Sequence, residues 1–316
     1  MAVETTTFSN NSADTWFRDI MSDCVLCPRA CHVNRLAGQT GYCGQTAELM
    51  AARASLHYWE EPCISGTSGS GTVFFSGCNL RCVFCQNHNI ALGKAGRVIV
   101  PEHLAEIFLQ LQEQRANNIN LVTPTHFLPQ IVIALEQAKQ QGLHLPIVYN
   151  TGSYESPEAL RHLEGLVDIY LPDLKYFSPE LSTAYSHAPD YFETACAAIS
   201  EMYRQVGDPV IDEDTGLMQH GMIVRHLLLP GQTKDSKKIL RYLHETYGDH
   251  IYISIMNQYT PLPQVADIEA LNRTVTPEEY DRILRFAERI GIERGFRQEG
   301  TTASESFIPE FDERGL

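Results

Sequence analysis

Apolar residues along this chain follow two alternating rhythms. Short β-branched and aromatic runs, bounded by turn-forming residues, alternate with longer stretches in which apolar positions recur every three or four residues. The short runs predict strands over 72–76 (Thr-Val-Phe-Phe-Ser), 119–123, 146–150, 168–172, 222–229 and 250–256. Between them, Pro101 opens a helix that places Leu104, Ile107, Phe108 and Leu111 on one face. A second helix, over 127–141, carries Ile131, Leu135 and Ala138 at helical spacing. Ser156-Pro157-Glu158 and Ser178-Pro179-Glu180 are helix starts, with serine at the N-cap and proline where its missing N–H is not needed. Further helices are expected over 191–205 and 234–247. Thr276-Pro277-Glu278-Glu279 is a capping box, followed by the stripe Tyr280, Ile283, Leu284, Ala287 and Ile290. Glu279 is therefore assigned to a cap rather than to chemistry. The run 66–71 is rich in glycine, but it lacks the lysine of a phosphate loop and precedes a strand, so it is assigned to a turn.

Six strands alternating with helices imply an α/β fold with parallel pairing through right-handed crossovers. The spacing fits a partial (β/α)6 barrel and also an open doubly wound sheet. We divide the chain into a Cys-rich N-terminal segment (1–65), the α/β body (66–300) and a C-terminal tail (301–316). The first 20 or so residues are polar and expected to be loose.

Hydrophobic residues make up 43% of 316 positions, enough to fill a sizeable core. The formal charge of −15 disfavours both nucleic-acid phosphates and anionic membranes as partners. No apolar run approaches the roughly 20 residues of a membrane-spanning helix. The first residues lack the basic start and apolar stretch of a secretory signal, so a cytoplasmic location is expected.

In that setting the nine cysteines point to metal rather than disulfides. Three of them, Cys78, Cys82 and Cys85, follow the first predicted strand with the spacing Cys-x3-Cys-x2-Cys. Three thiolates can hold three irons of a [4Fe–4S] cube and leave the fourth iron open to chemistry. The alternative is a structural zinc site with His88 as fourth ligand. Cys24, Cys27, Cys31 and Cys43 form a second set, Cys-x2-Cys-x3-Cys-x11-Cys, whose four thiolates close a site for zinc or for an auxiliary [4Fe–4S] cluster. Cys63 and Cys196 are left over and are expected to be structural, Cys196 as a buried thiol.

Parallel α/β folds place their ligand site at the carboxyl ends of the strands. Those ends carry the three cysteines, then Thr123-Pro124-Thr125-His126, Asn150-Thr151-Gly152-Ser153 and Asp173-Leu174-Lys175. Arg225 and His226 follow on the fifth strand, and Asn257-Gln258-Tyr259 after the sixth. Each residue taken singly is also open to a structural reading, Asp173 with Lys175 as a simple ion pair.

The run Gly77-Cys78-Asn79-Leu80-Arg81-Cys82-Val83-Phe84-Cys85-Gln86-Asn87 resembles the signature of the radical S-adenosylmethionine (SAM) superfamily. Within it, that run and Asp173-Leu174-Lys175 resemble the glycyl-radical-enzyme activating enzymes, of which pyruvate formate-lyase activating enzyme is the best-known type. The nearest subgroup looks like the PflX-type relatives of those activases. It shares Cys24-Val25-Leu26-Cys27-Pro28-Arg29-Ala30-Cys31, Thr123-Pro124-Thr125-His126-Phe127 and Val224-Arg225-His226-Leu227. The resemblance implies the partial TIM-type barrel, a [4Fe–4S] cluster on Cys78, Cys82 and Cys85, and SAM bound to its open iron. It places Phe84 beside the SAM adenine. Thr123, Thr125, Asn150 and Asp173 then suit the amine and ribose diol, and Lys175 and Arg225 the carboxylate. One departure stands out: the activases carry a Gly-Gly-Glu element after strand two, where this chain has Thr123-Pro124-Thr125 and no carboxylate.

The implied reaction is reductive cleavage of SAM to a 5′-deoxyadenosyl radical that abstracts hydrogen from a substrate, under low oxygen. The electron donor implied is a flavodoxin or ferredoxin type of protein. A glycyl-radical enzyme is one target; a small metabolite or peptide is the other. Two functions of other classes are an iron–sulfur electron-transfer protein that does not cleave SAM, and a zinc-folded interaction module.

Overall fold

Strands β1 (Leu49–His57), β2 (Ser70–Phe75), β3 (Arg97–Ile99), β4 (Ile119–Val122) and β5 (Ile147–Thr151) are followed by β6 (Ile169–Pro172), β7 (Val210–Ile211), β8 (Met218–Leu227), β9 (Tyr252–Met256) and β10 (Gly295–Arg297). They belong to a computed structural model that describes residues 11–298 and 310–316. Around them lie helices α1 (Asn11–Ser22), α2 (Pro62–Ser65), α3 (His88–Ala91), α4 (Pro101–Glu113), α5 (Leu128–Gln140), α6 (Pro157–Leu160), α7 (Pro179–Ser186), α8 (Tyr191–Val206), α9 (Thr233–Tyr247) and α10 (Pro277–Ile290).

The six strands expected from the sequence are β2, β4, β5, β6, β8 and β9, and they are parallel neighbours in that order. Side chains on or just beyond all six line a single cavity, which a flat doubly wound sheet could not achieve. The sheet is not closed: its path runs β10-β9-β8-β6-β5-β4-β2-β1-β3, and the end strands do not pair with each other. The fold is a partial TIM-type barrel.

Four strands escaped the sequence reading. β1 pairs antiparallel with β2, and β3 antiparallel with β1. β7 pairs antiparallel with β8, and β10 lies parallel beside β9. β3, β7 and β10 have three residues or fewer, too short to show a period. β1 is longer, but its Leu-Met-Ala-Ala-Arg-Ala-Ser-Leu-His has no β-branched residue, so its pairing rests on β2 and not on propensity. Ser70 and Gly71, assigned to a turn, belong to β2.

Local chemistry fixes the helix starts. Ser156 accepts from the Ala159 N–H and Ser178 from the Leu181 N–H. Thr276 and Glu279 complete both bonds of the capping box. Arg273 also grips Glu279 at 2.8 Å and draws its carboxyl down to about 2. The helix expected over 127–141 begins as a 3-10 turn at Thr125–Phe127 before α5.

Alternation along the strands sorts the core into two layers. Ile119, Leu121, Ile147, Tyr149 and Tyr170 face the helices in the main core. Val148, Ile169, Leu171 and Ile223 pack together with Cys63, Ile64 and Met218. The α2 turn thus reaches these inward-facing positions, and Cys63 is buried among apolar groups that push its thiol up to about 12. Cys196 on α8 is half-buried rather than buried.

Residues 310–316 lie against β1. Ala54 N–H donates to Arg314 O at 2.9 Å and Glu313 N–H to Ala52 O at 3.1 Å. Arg53 holds Glu310 O at 2.7 Å and Asp312 Oδ1 at 2.8 Å. The Phe311 ring meets Phe74 edge-on at 5.4 Å. The remainder of the tail, 301–309, lies outside the described residues. Among the described residues no helix is long and apolar enough to cross a membrane.

Candidate active site

The cysteine loop leaves β2 through Gly77, whose φ of +91° is left-handed. A Cβ here would fall 2.6 Å from Gln45 Cγ and 2.9 Å from Cys43 O, so only glycine allows this close approach. Arg81 turns the loop again with φ +51°. Cys78, Cys82 and Cys85 all line the same cavity, of about 240 Å³ and open to solvent. Leu80 N–H donates to Cys78 Sγ at 3.3 Å, and Ser186 Oγ–H to Cys82 Sγ at 3.0 Å. Burial pushes the Cys78 and Cys85 thiols up, an effect that metal ligation reverses because a coordinated thiol is deprotonated outright. Three thiols and no fourth among the lining residues make a donor set suited to a cube with one open iron.

Facing the loop is a balanced group of charges. Arg225 donates from Nε to Asp173 Oδ1 at 3.0 Å, from Nη1 to Glu60 Oε2 at 3.0 Å and from Nη2 to Asn150 Oδ1 at 2.6 Å. Lys175 Nζ donates to Asp173 Oδ2 at 2.5 Å. Burial works against the Asp173 carboxylate, but Lys175 and Arg225 more than offset it and hold the group below its ordinary range. Burial likewise opposes the charge on Lys175, and Asp173 restores it, leaving it above the usual lysine value. Gly152 permits the close approach of Leu80 from the cysteine loop, since a Cβ there would meet Leu80 Cδ1 at 2.8 Å.

The cavity therefore collects Phe84, Thr123, Asn150, Asp173, Lys175 and Arg225 beside the three cysteines. Phe84 forms one wall, edge-on to Tyr176, Tyr185 and Tyr259. Thr123 is held at φ +57°, unusual for a β-branched residue, with its N–H on Asn150 O at 2.9 Å. Thr125 is different. Its hydroxyl turns away from the cavity and donates to buried Glu155 Oε1 at 2.5 Å. Thr151 and Tyr149 donate to the same oxygen, and Glu155 Oε2 has no partner. Burial raises this acid to about 7. His126 and His226 are also structural: both are buried and held neutral, with His126 Nε2 on Ser76 O at 2.6 Å and His226 Nδ1 on Leu174 O at 2.7 Å.

Sequence reasoning missed Glu60. The turn after β4 brings no carboxylate, yet Glu60 Oε1 accepts from Asn120 Nδ2 of β4 at 3.2 Å and from Asn150 Nδ2 of β5 at 3.3 Å. A carboxylate thus reaches the cavity from the N-terminal segment, beside His57 and Trp59. No local signal marked it, since its partners lie 60 to 165 positions away. Cys24, Cys27, Cys31 and Cys43 do not line the cavity. Among the described residues no three His, Cys, Asp or Glu side chains converge as they would on one metal ion.

An open parallel barrel with three cysteines after its first strand and a charged cavity at the strand ends defines a class of enzyme. The chain matches the profile of the radical SAM superfamily over residues 72–243 and belongs to that superfamily. The cofactors this implies are a [4Fe–4S] cluster and SAM. An uncharacterised protein of Methanocaldococcus jannaschii is 27% identical over 286 residues, 87% of this chain and 77% of the relative. A domain of pyruvate-formate lyase-activating enzyme from Bacteroides vulgatus is similar over 58% of this chain and 100% of that chain, with 14% identity and a TM-score of 0.42. The [FeFe]-hydrogenase maturase HydG from Carboxydothermus hydrogenoformans is similar over 76% of this chain and 60% of that chain, with 13% identity and a TM-score of 0.47.

Proposed function

We propose that Cys78, Cys82 and Cys85 hold a [4Fe–4S] cluster at which SAM is cleaved to a 5′-deoxyadenosyl radical that abstracts hydrogen from a substrate in the same cavity. The observation that carries this reading is the meeting, in one cavity, of three thiols with Asp173, Lys175, Arg225 and Asn150. Lys175 is the cation for the SAM carboxylate, and Asp173 and Asn150 are acceptors for its amine and ribose hydroxyls. Arg225, engaged by Asp173, Glu60 and Asn150, orients those acceptors. Thr123 and Phe84 supply a hydroxyl and an aromatic wall. Thr125 acts indirectly, by fixing Glu155 beneath the β5 end.

Two targets fit. The Asp173-Leu174-Lys175 match supports a glycine of a glycyl-radical enzyme. The Thr123-Pro124-Thr125 turn, with its acid replaced by Glu60 from another segment, supports a small metabolite or peptide. Deuterium appearing in 5′-deoxyadenosine from a labelled substrate assigns the target. The electron donor is a flavodoxin or ferredoxin type of protein. Cys24, Cys27, Cys31 and Cys43 form a second metal site, and metal-binding thiols suit the reducing cytoplasm.

The reading is tested by EPR of the dithionite-reduced protein. SAM is expected to change the cluster signal, and Lys175→Met to raise the SAM concentration required about tenfold. An electron-transfer protein that does not use SAM would show a signal indifferent to it, and a zinc module would show none.

A further inference from the structure

Acidic residues are unevenly spread along the chain. The stretches 24–47 and 62–101 hold none of its 39 aspartates and glutamates, yet they hold five of its 24 lysines and arginines. The second stretch contains Cys78, Cys82 and Cys85. A chain of formal charge −15 thus builds its cysteine loop from a locally positive segment. Two of the five cations are committed to carbonyls inside the molecule. Arg35 is buried on Thr46 O and His126 O, and Arg29 donates to Asn79 O, Ser186 O and His187 O. Arg81, Lys94 and Arg97 form no ion pair among the described residues. Lys94 and Arg97 are exposed, and Arg81 Nε is buried with no hydrogen-bond partner.

Contacts hold these three cations together behind the cysteine loop. The Arg81 guanidinium fills the space left by exposed Gly44, where a Cβ would collide with Nη2. The neighbouring Gln45 side chain packs on Gly77 and Gly93, since a Cβ at these positions would fall 2.6 Å from its Cγ and 2.7 Å from its Nε2. Lys94 follows Gly93. Ser76 Oγ–H donates to Ala95 O at 2.6 Å, which ties the segment carrying Arg97 to the residues that lead into Cys78. The same segment exposes Leu92, Val98 and Val100, and its strand β3 ends the sheet. Glu48 and Glu102 border the face at the far end of β3, where Leu49 pairs with Ile99. Arg81, Lys94 and Arg97 do not line the cavity.

This placement separates the entry of electrons from the chemistry. A substrate seated on this face does not enter the cavity, whereas an electron needs only closeness to the cysteine loop. Unpaired cations beside exposed aliphatic side chains suit an acidic protein, steered in by charge and held by apolar contact. Charges act over about 8 Å at physiological salt, so such a partner meets the local positive face and not the distant acids.

We infer that the face of Arg81, Lys94 and Arg97, with Leu92 and Val98, docks an acidic one-electron donor protein. The donor reduces the cluster of Cys78, Cys82 and Cys85 from behind, while the cavity stays free for SAM and substrate. The inference rests on the proposed function for the identity of the electron acceptor. One electron leaves the donor, which is oxidised, and reduces the cluster by one electron. No proton or group moves.

The test follows cluster absorbance in anaerobically reconstituted protein mixed with reduced flavodoxin or, separately, with reduced methyl viologen, a small cation that needs no docking face. Reduction by flavodoxin is expected to slow about tenfold between low salt and about 0.5 M NaCl. Lys94→Glu/Arg97→Glu is expected to slow it about tenfold at low salt, with iron content and the methyl viologen rate unchanged. Lys234→Glu/Arg282→Glu makes the same change of charge at exposed positions of α9 and α10 and is expected to keep the wild-type rate. If Lys94→Glu/Arg97→Glu loses its iron, Lys94→Glu alone carries the comparison. A wild-type flavodoxin rate in the Lys94→Glu/Arg97→Glu protein overturns the inference, and so does an equal loss in the two double variants or with both reductants. Wild-type protein that methyl viologen reduces but neither flavodoxin nor ferredoxin reduces also overturns it. Salt-sensitive reduction by flavodoxin without release of 5′-deoxyadenosine from SAM would overturn the proposed function and leave the docking face standing.

Discussion

Glu60 Oε2 accepts from Arg225 Nη1 at 3.0 Å, across 165 positions of sequence, and so places a residue of the N-terminal segment in the cavity. Both side chains are nearly buried, at 11% and 12% exposure, so the pair is little screened by solvent. Glu60→Ala leaves Arg225 with Asp173 as its nearest remaining acid partner. The expected loss is about 3 kcal/mol in unfolding free energy, the lower end for breaking a buried pair. Glu60→Gln keeps an acceptor and is expected to lose about half of that, while both variants weaken SAM binding. Denaturant unfolding and EPR titration with SAM check the two effects separately.

Glu155 predicts a pH dependence of stability. Its folded value of about 7 lies above the reference of 4.5, because burial outweighs the hydroxyls that bond it. Between those values the native state holds a proton that the unfolded state releases, so this group's contribution is present below about pH 4.5 and is lost as pH rises through about 7. The full loss is about 3 kcal/mol at 1.36 kcal/mol per pH unit. Glu155→Gln is expected to match wild type near pH 5 and to be the more stable near pH 8. Unfolding curves at the two pH values measure it, and parallel losses in both proteins would contradict it.

Gly77 tests the junction between the two cysteine sets. Gly77→Ala forces a Cβ against Gln45 Cγ and Cys43 O at a φ of +91°. The expected result is loss of more than half of the bound iron after anaerobic reconstitution, read by iron analysis. Gly142→Ala is the control for strain alone, since Gly142 also has positive φ but nothing within 4 Å of a built Cβ.

The segment 310–316 supports the cavity from behind, because Phe311 packs on Phe74 and Phe74 lines the cavity. Phe311→Ala is expected to lower stability by about 1–2 kcal/mol, the value of a partly buried aromatic. Cluster absorbance is expected to bleach a few-fold faster in air. Thermal unfolding and absorbance decay measure the two.

Much of this was legible before the structure. The six parallel strands declare themselves through β-branched runs, and the helix starts through Ser156, Ser178 and Thr276, whose capping bonds are local. The cysteines, Asp173 and Lys175 are marked by short spacing. Thr125 misled, because a threonine after a strand carries no sign of which way its hydroxyl turns; Glu155, 30 positions on, decides that. Glu60 was invisible for the same reason, and β1 because its order comes from pairing with β2.

The central claim concerns Cys78, Cys82 and Cys85. Anaerobically reconstituted protein, given SAM and dithionite, is expected to release 5′-deoxyadenosine and methionine, and Cys82→Ala protein to release neither. An intact, reducible cluster that yields no 5′-deoxyadenosine would contradict the account.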